Sequence, residues 1–163
     1  MKQAKADVLK FVTFQLGLDL FAVDVLSVDR VLRYTPPNAV PDVPPWIEGV
    51  VEHRGSVIPV VDLRRRVELA DDSITPETRL LVFTSRDGYV GAIVDMVHEV
   101  SVVPAADISP PPALFRGLAG EFIRGIAKIQ NQLVVILDVD RVLTSTDRIK
   151  FDQSALAAEG NGA

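Results

Sequence analysis

The chain has 163 residues, enough for one ordinary domain or two very small ones sharing a core, and its 48% hydrophobic and 24% charged residues are the balance of a folded globular protein. A net charge of −5 argues against a nucleic-acid partner or a helix lying on anionic lipid, both of which need a basic surface. The longest apolar runs fall far below the roughly 20 residues of a membrane span.

The polar start, residues 1–7, lacks the apolar stretch of a signal peptide and is expected to be flexible; with no cysteine to cross-link, the chain fits a reducing cytoplasm. Residues 8–16 alternate as a strand, and Gly17-Leu18-Asp19 turns the chain into 21–24. A helical turn leads to an extended stretch over 28–34. Pro36, Pro37, Pro41, Pro44 and Pro45 stiffen the following connection. Next comes a hairpin, 49–53 with 57–62, around Arg54-Gly55-Ser56, where glycine permits a positive φ. Asp62 ends that hairpin as an N-cap, and Arg64-Arg65-Arg66 reads as the solvated face of a short helix. A second pair follows, 78–85 and 89–103, with a turn at Arg86-Asp87-Gly88 and a bend near Asp95. Pro110-Pro111-Pro112 precedes a short helix over 114–118. The last hairpin, 125–130 with 132–139, turns at Gln130-Asn131; Asp138 caps a helix from 139 to 143, and 151–163 is expected to be a disordered tail.

An internal repeat organises these pieces. Trp46-Ile47-Glu48-Gly49 matches Phe122-Ile123-Arg124-Gly125, 76 positions on, and Asp62 matches Asp138 at the same spacing with apolar residues facing apolar between them. Upstream, Phe11-Val12-Thr13-Phe14 resembles Leu80-Leu81-Val82-Phe83, and Val23-Asp24 resembles Val94-Asp95. Two halves of about five short strands, changing over near 70–78, fit a duplicated small barrel. Neither half buries much surface alone, so a shared apolar interface between them is expected.

Chemistry is sparse. His53 beside a turn and His98 on a strand read as solvent-facing residues, and no carboxylate cluster has metal-ligand spacing. Phosphate-binding loops and nucleophile elbows are missing. Asp62 and Asp138 invite comparison with a proton-sharing dyad, but neither lies in an Asp-Thr-Gly or Asp-Ser-Gly loop. A hydrolase using that pair, or a small-ligand sensor using a cleft between the barrels, remain alternatives to a binding module without catalytic residues, metal or cofactor.

The run Trp46-Ile47-Glu48-Gly49-Val50-Val51-Glu52-His53-Arg54-Gly55-Ser56-Val57-Ile58-Pro59-Val60-Val61-Asp62-Leu63-Arg64 closely resembles the signature of CheW-like domains, adaptors that couple bacterial chemoreceptors to the histidine kinase CheA. Supporting segments are residues 21–28, 78–82 and 90–100, and the resemblance spans 8–150. It implies a mainly β fold of two pseudo-duplicated five-stranded SH3-like barrels with a few short helices, with strands exchanged between halves. It implies two partners, the kinase regulatory domain and a chemoreceptor cytoplasmic tip, and recruitment to receptor arrays. The bare adaptor is expected, without phosphotransfer, ATP-binding or receiver domains. Carried over position by position, the receptor groove is lined by Val28, Arg30, Gly49, Arg54, Arg79 and Val100. For the arginines the alternative is a solvated residue; for Val28, Val100 and Gly49 it is a purely structural role. Two departures stand out: Arg30 replaces the family's usual glutamate, and Glu52-His53 replaces the usual Asn-Leu before Arg54-Gly55.

Overall fold

β-branched and aromatic residues punctuated by Gly, Pro and Asp dictate short strands, and eleven are present among the residues that the computed structural model describes, 7–43, 47–66, 73–86, 88–111 and 122–144. In chain order they are β1 (Val8–Leu16), β2 (Asp19–Asp24), β3 (Val28–Arg33), β4 (Ile47–His53), β5 (Ser56–Asp62), β6 (Arg79–Ser85), β7 (Gly88–Val94), β8 (Met96–Pro104), β9 (Ile108–Ser109), β10 (Ile123–Ile129) and β11 (Gln132–Leu137). Two 3-10 turns, Val25–Ser27 and Ala105–Asp107, and two short helices, α1 (Leu63–Arg66) and α2 (Val139–Thr144), complete the set. The helix expected over 114–118 and the C-terminal tail lie outside the described residues. The two-residue strand β9 was not foreseen from the sequence; it is too short for any periodicity to register.

The strands form two sheets with one plan. The first runs β8-β1-β2-β11-β10-β9 and the second β3-β6-β7-β5-β4. In each, one parallel contact, β2 with β11 or β7 with β5, interrupts otherwise antiparallel pairing. Phe14 opposite Phe21 corresponds to Phe83 opposite Val90, and an isolated bridge from Asn38 to Val50 takes the place that β9 holds beside β10. The duplication is thus real, but the sheets do not follow the halves of the sequence. β3 leaves β2 to join the second sheet, and β8 leaves β7 to join the first. One sequence match is shifted: the registers align Ala22 with Gly91, which sets Val23-Asp24 against Ala92-Ile93 rather than Val94-Asp95. A slip of two residues keeps every side chain on its own face, so the apolar pattern cannot detect it.

Burial explains why several strands read as continuous apolar runs. Phe11, Ala22, Val103, Ala127, Val134 and Ile136 fill the first barrel, and Val60, Leu80 and Ile93 fill the second. Between the barrels lies a third and larger cluster drawn from both sheets, including Val12, Phe14, Leu16, Phe21, Leu81, Phe83, Val94, Leu137 and Val142. β1 therefore points Phe11 into its own barrel and Val12 into the seam, and β6 does the same with Leu80 and Leu81. Strands covered on both faces lose the in-out alternation of a half-exposed sheet. The shared apolar interface expected from the small size of each half is the main core.

A buried ionic knot fastens the same seam. Arg64, expected on a solvated face, is instead fully buried, with 1% of its side chain exposed. Its Nε donates to Asp62 Oδ1 at 2.9 Å, Nη2 to Asp62 Oδ2 at 2.9 Å, and Nη1 to Asp95 Oδ1 at 2.9 Å. Asp95 in turn accepts the Gly17 backbone N–H at 2.6 Å through Oδ2, while its own N–H donates to the Gln15 carbonyl at 3.0 Å. One guanidinium thus ties the end of β5 to the bend between β7 and β8 and, through it, to the β1–β2 turn of the other barrel. The two carboxylates hold the Arg64 guanidinium well above the ordinary arginine range, Asp62 contributing most. A planar fork that binds one carboxylate through two of its nitrogens and reaches a second is what arginine offers and lysine does not.

Candidate interaction site

The β4–β5 hairpin turns through Arg54 and Gly55, both at positive φ (54° and 78°), as tight two-residue loops require. An arginine in the left-handed region is uncommon, because its Cβ crowds the following carbonyl. Its side chain is half exposed, and its Nε donates to Asp29 Oδ2 at 3.0 Å. The same oxygen accepts from His53 Nε2 at 2.8 Å, so one carboxylate oxygen holds two donors. His53 is 7% exposed, with its ring edge-on to Tyr89 at 5.1 Å. This corrects the sequence expectation of a solvent-facing histidine. Parity along β4 beyond its bulge carried the signal: His53 shares a face with Gly49 and Val51, and Glu52 takes the exposed one. Asp29 escaped notice because it sits at a bulge, where the β3–β6 register slips between Val28 and Arg30 and the side chain is re-aimed. Since β3 and β4 are the outermost strands of their sheet, the Asp29–His53 contact also marks where that sheet curls until its edges meet.

The His53 hydrogen bond, and after it the one from Arg54, hold Asp29 below the usual carboxylate range. A carboxylate lowered in the folded state adds stability above its unfolded pKa, and that contribution is lost as pH falls through the folded value. Asp29→Asn is therefore expected to lower the melting temperature at neutral pH, and the gap to the parent chain should close in acid, below the ordinary carboxylate range. A gap independent of pH would exclude Asp29 as the charged partner.

The six residues expected to line a groove are spread over both barrels. Val28 is half-buried against the inter-barrel core, and Arg30 is exposed on β3 next to Asp29. Gly49 is buried at a bulge in β4. Arg79 stands at the far end of the β3–β6 ladder, opposite Arg33, with its Nη1 donating to the carbonyls of Pro76 at 2.8 Å and Thr78 at 3.0 Å. Val100, half exposed, is on β8 of the first barrel, opposite Val12. Val28 and Arg30 flank Asp29 along β3 and Arg54 bonds to it; among the described residues no hydrogen bond or ion pair links Gly49, Arg79 or Val100 to Asp29, His53 or Arg54.

In the first barrel the matching positions leave a groove. The register equates Asp29 with His98, His53 with Ile129, Arg54 with Gln130 and Tyr89 with Leu20, and these four border an open cleft of about 650 Å³. His98 is exposed, as expected, and only brushes Gln15 at 3.3 Å. This cleft belongs to one barrel and is not the inter-barrel cleft considered for a small-ligand sensor. Nor do Asp62 and Asp138 form a dyad. Both oxygens of Asp62 are taken by Arg64, whereas Asp138 caps α2 by accepting the Arg141 N–H at 3.2 Å. No group of three or more His, Cys, Asp or Glu side chains is placed to hold a metal ion among the described residues. No helix among them is long and apolar enough to cross a membrane.

The family model described as "CheW-like domain" matches residues 10–147, which include nearly all of both barrels, the ionic knot and the Arg54 hairpin. The chain belongs to the CheW-like domain family. Among curated CheW-like relatives, the chemotaxis protein CheW of Bacillus subtilis is 36% identical over 134 residues, covering 82% of this chain and 86% of that protein. Protein FrzA of Myxococcus xanthus is 35% identical over 136 residues, with 82% and 84% covered. The crystal structure of the scaffolding protein TtCheW from Thermoanaerobacter tengcongensis superposes with a TM-score of 0.78 at 29% identity, covering 85% of this chain and 94% of that one. The SH3-like double-barrel architecture is thus shared with a solved CheW.

Proposed function

We propose that this chain is a non-catalytic scaffold of bacterial chemosensory signalling, held in the cytoplasm at receptor arrays, where it couples receptor tips to a CheA-type histidine kinase. The match of the family model over residues 10–147, nearly all of both barrels, carries this reading. It is supported by the solved relative, titled a scaffolding protein, whose length this chain almost fully covers. The disposition of charge points the same way. Among the described residues the most buried carboxylate, Asp62, is spent on a structural ion pair, while exposed apolar and cationic side chains, Val100, Leu133 and Arg30 among them, lie on the outer surfaces. Surfaces of this kind suit docking by other proteins, with hydrogen-bonded contacts at their rims.

In a pull-down, the immobilised chain is expected to capture both the regulatory domain of a CheA-type kinase and the cytoplasmic tip of a receptor from the same genome. Arg54→Ala should weaken capture of the tip by about tenfold, the value of one charge-assisted hydrogen bond, and leave kinase capture unchanged. Capture of neither protein by the parent chain would overturn the proposal.

A further inference from the structure

The outermost strands of the second sheet, β3 and β4, are joined by side chains where they meet. His53 is buried at the end of β4, with 6% of its side chain exposed, and its Nε2 lies 2.8 Å from Asp29 Oδ2 on β3. Its ring stands edge-on to Tyr89 of β7 at 5.1 Å. The charged and titratable groups around it are Asp29 and Arg30 on β3, Glu52 on the opposite face of β4, Arg54 on the hairpin and Tyr89 on β7. In the first sheet Ile129 stands at the place of His53. The position equivalent to Asp29 holds His98, which is exposed and has its Nε2 3.3 Å from Gln15 Oε1. One barrel thus closes through a buried titratable pair and the other does not.

Histidine is the side chain whose charge changes nearest neutral pH. As imidazolium, His53 makes a charge-assisted bond to Asp29, the stronger kind; as neutral imidazole protonated at Nε2 it keeps the donor and loses the charge. Asp29 stays ionised through that change, because the hydrogen bonds from His53 and Arg54 hold it below the usual carboxylate range. Arg54 opposes a charged ring, but its side chain is half exposed and screened by water, whereas His53 meets Asp29 directly and away from solvent. The direct bond therefore outweighs the repulsion. We propose that His53 is a proton-sensitive latch on the second barrel: charged, it clamps the end of β4 to the bulge of β3, and neutral, it lets those two edges part more readily. The first barrel, with Ile129 in its place, has no such response. The latch needs no partner and stands independently of the scaffold role.

Amide hydrogen exchange of the parent chain tests this, with the β10–β11 hairpin as a reference in the same molecule. Intrinsic exchange quickens with pH in both hairpins alike. The ratio of protection around His53 and Ser56 to that around Ile129 and Gln132 therefore reports the latch alone. That ratio is expected to fall about tenfold between about pH 6 and about pH 8, the difference between a charge-assisted and a neutral hydrogen bond. Its midpoint should coincide with the pH at which NMR shows the His53 ring losing its proton. The chain has two histidines, so His98→Gln assigns the ring signals. His53→Gln keeps a donor and cannot titrate, and its ratio should be level across the range. A His53 ring that keeps one protonation state throughout, or that titrates while the ratio stays level, overturns the latch. So does a pH-dependent ratio that persists in His53→Gln.

Discussion

Arg64→Met is expected to destabilise the fold by about 3–5 kcal/mol, the cost of leaving buried carboxylate charge without its partner. Asp62, with 3% of its side chain exposed, loses both its hydrogen bonds from the guanidinium, and Asp95 loses the anchor that keeps it over Gly17. Such a loss is a large share of the 5–15 kcal/mol that typically separates a folded domain from its unfolded state. Urea unfolding measures it directly as a lower midpoint. Adding Asp62→Leu to Arg64→Met should recover part of the loss, because it removes the stranded charge that causes it. A midpoint within about 0.5 kcal/mol of the parent, as for an ordinary surface position, would show that the knot does not fasten the barrels.

Gly49→Ala is expected to cost at least about 3 kcal/mol, from two effects that act together. Gly49 has φ near +151°, a conformation that residues with a side chain rarely adopt. A Cβ there would also run into the Asn38 carbonyl, on the strand-like segment that bridges to Val50. Its counterpart Gly125 faces the same crowding, from the Ile108 side chain at 2.6 Å and the Ser109 carbonyl at 2.9 Å. Gly55→Ala is the control: φ is +78°, but nothing lies within 4 Å, so only the conformational cost of about 1–2 kcal/mol applies. Thermal or urea unfolding of the three variants should rank Gly49 and Gly125 well above Gly55. Equal losses at all three would mean that close chain approach is not why glycine stands at the bulges. Both glycines support a structural reading of Gly49, since the duplicate position shows the same crowding in the other barrel.

Much of this architecture was legible in the sequence, for physical reasons that can be named. Strand boundaries followed from Gly, Pro and Asp at real turns, and the repeat of Trp46-Ile47-Glu48-Gly49 in Phe122-Ile123-Arg124-Gly125 reflects a shared constraint, a bulge pressed against a neighbouring chain segment. The exchange of β3 and β8 between barrels follows no local signal, because a strand's pattern reports which faces are covered and not which sheet covers them. Arg64 was misread for the same reason: a run of three arginines is normally solvated, and only the fold brings Asp95 to its second face. At the candidate site, Arg54 was found by resemblance and His53 by no reading at all, though its parity on β4 placed it with Gly49 and Val51. Asp29 was invisible to periodicity since the bulge at its position breaks the alternation on which periodicity depends.

The duplicate barrels have diverged at one equivalent place. In the second, Asp29, His53, Arg54 and Tyr89 close on one another through an ion pair, a hydrogen bond and a ring contact; in the first, His98, Ile129, Gln130 and Leu20 border an open cleft. Two unlike surfaces on one rigid frame suit a protein that holds two unlike partners at once. The most direct test is light scattering on a size-exclusion column with the chain, a CheA-type regulatory domain and a receptor tip mixed at micromolar concentration. The scaffold account predicts a single peak with the mass of all three components, absent when the chain is omitted. Kinase domain and tip that displace one another from the chain, or that elute apart from it, would contradict the account.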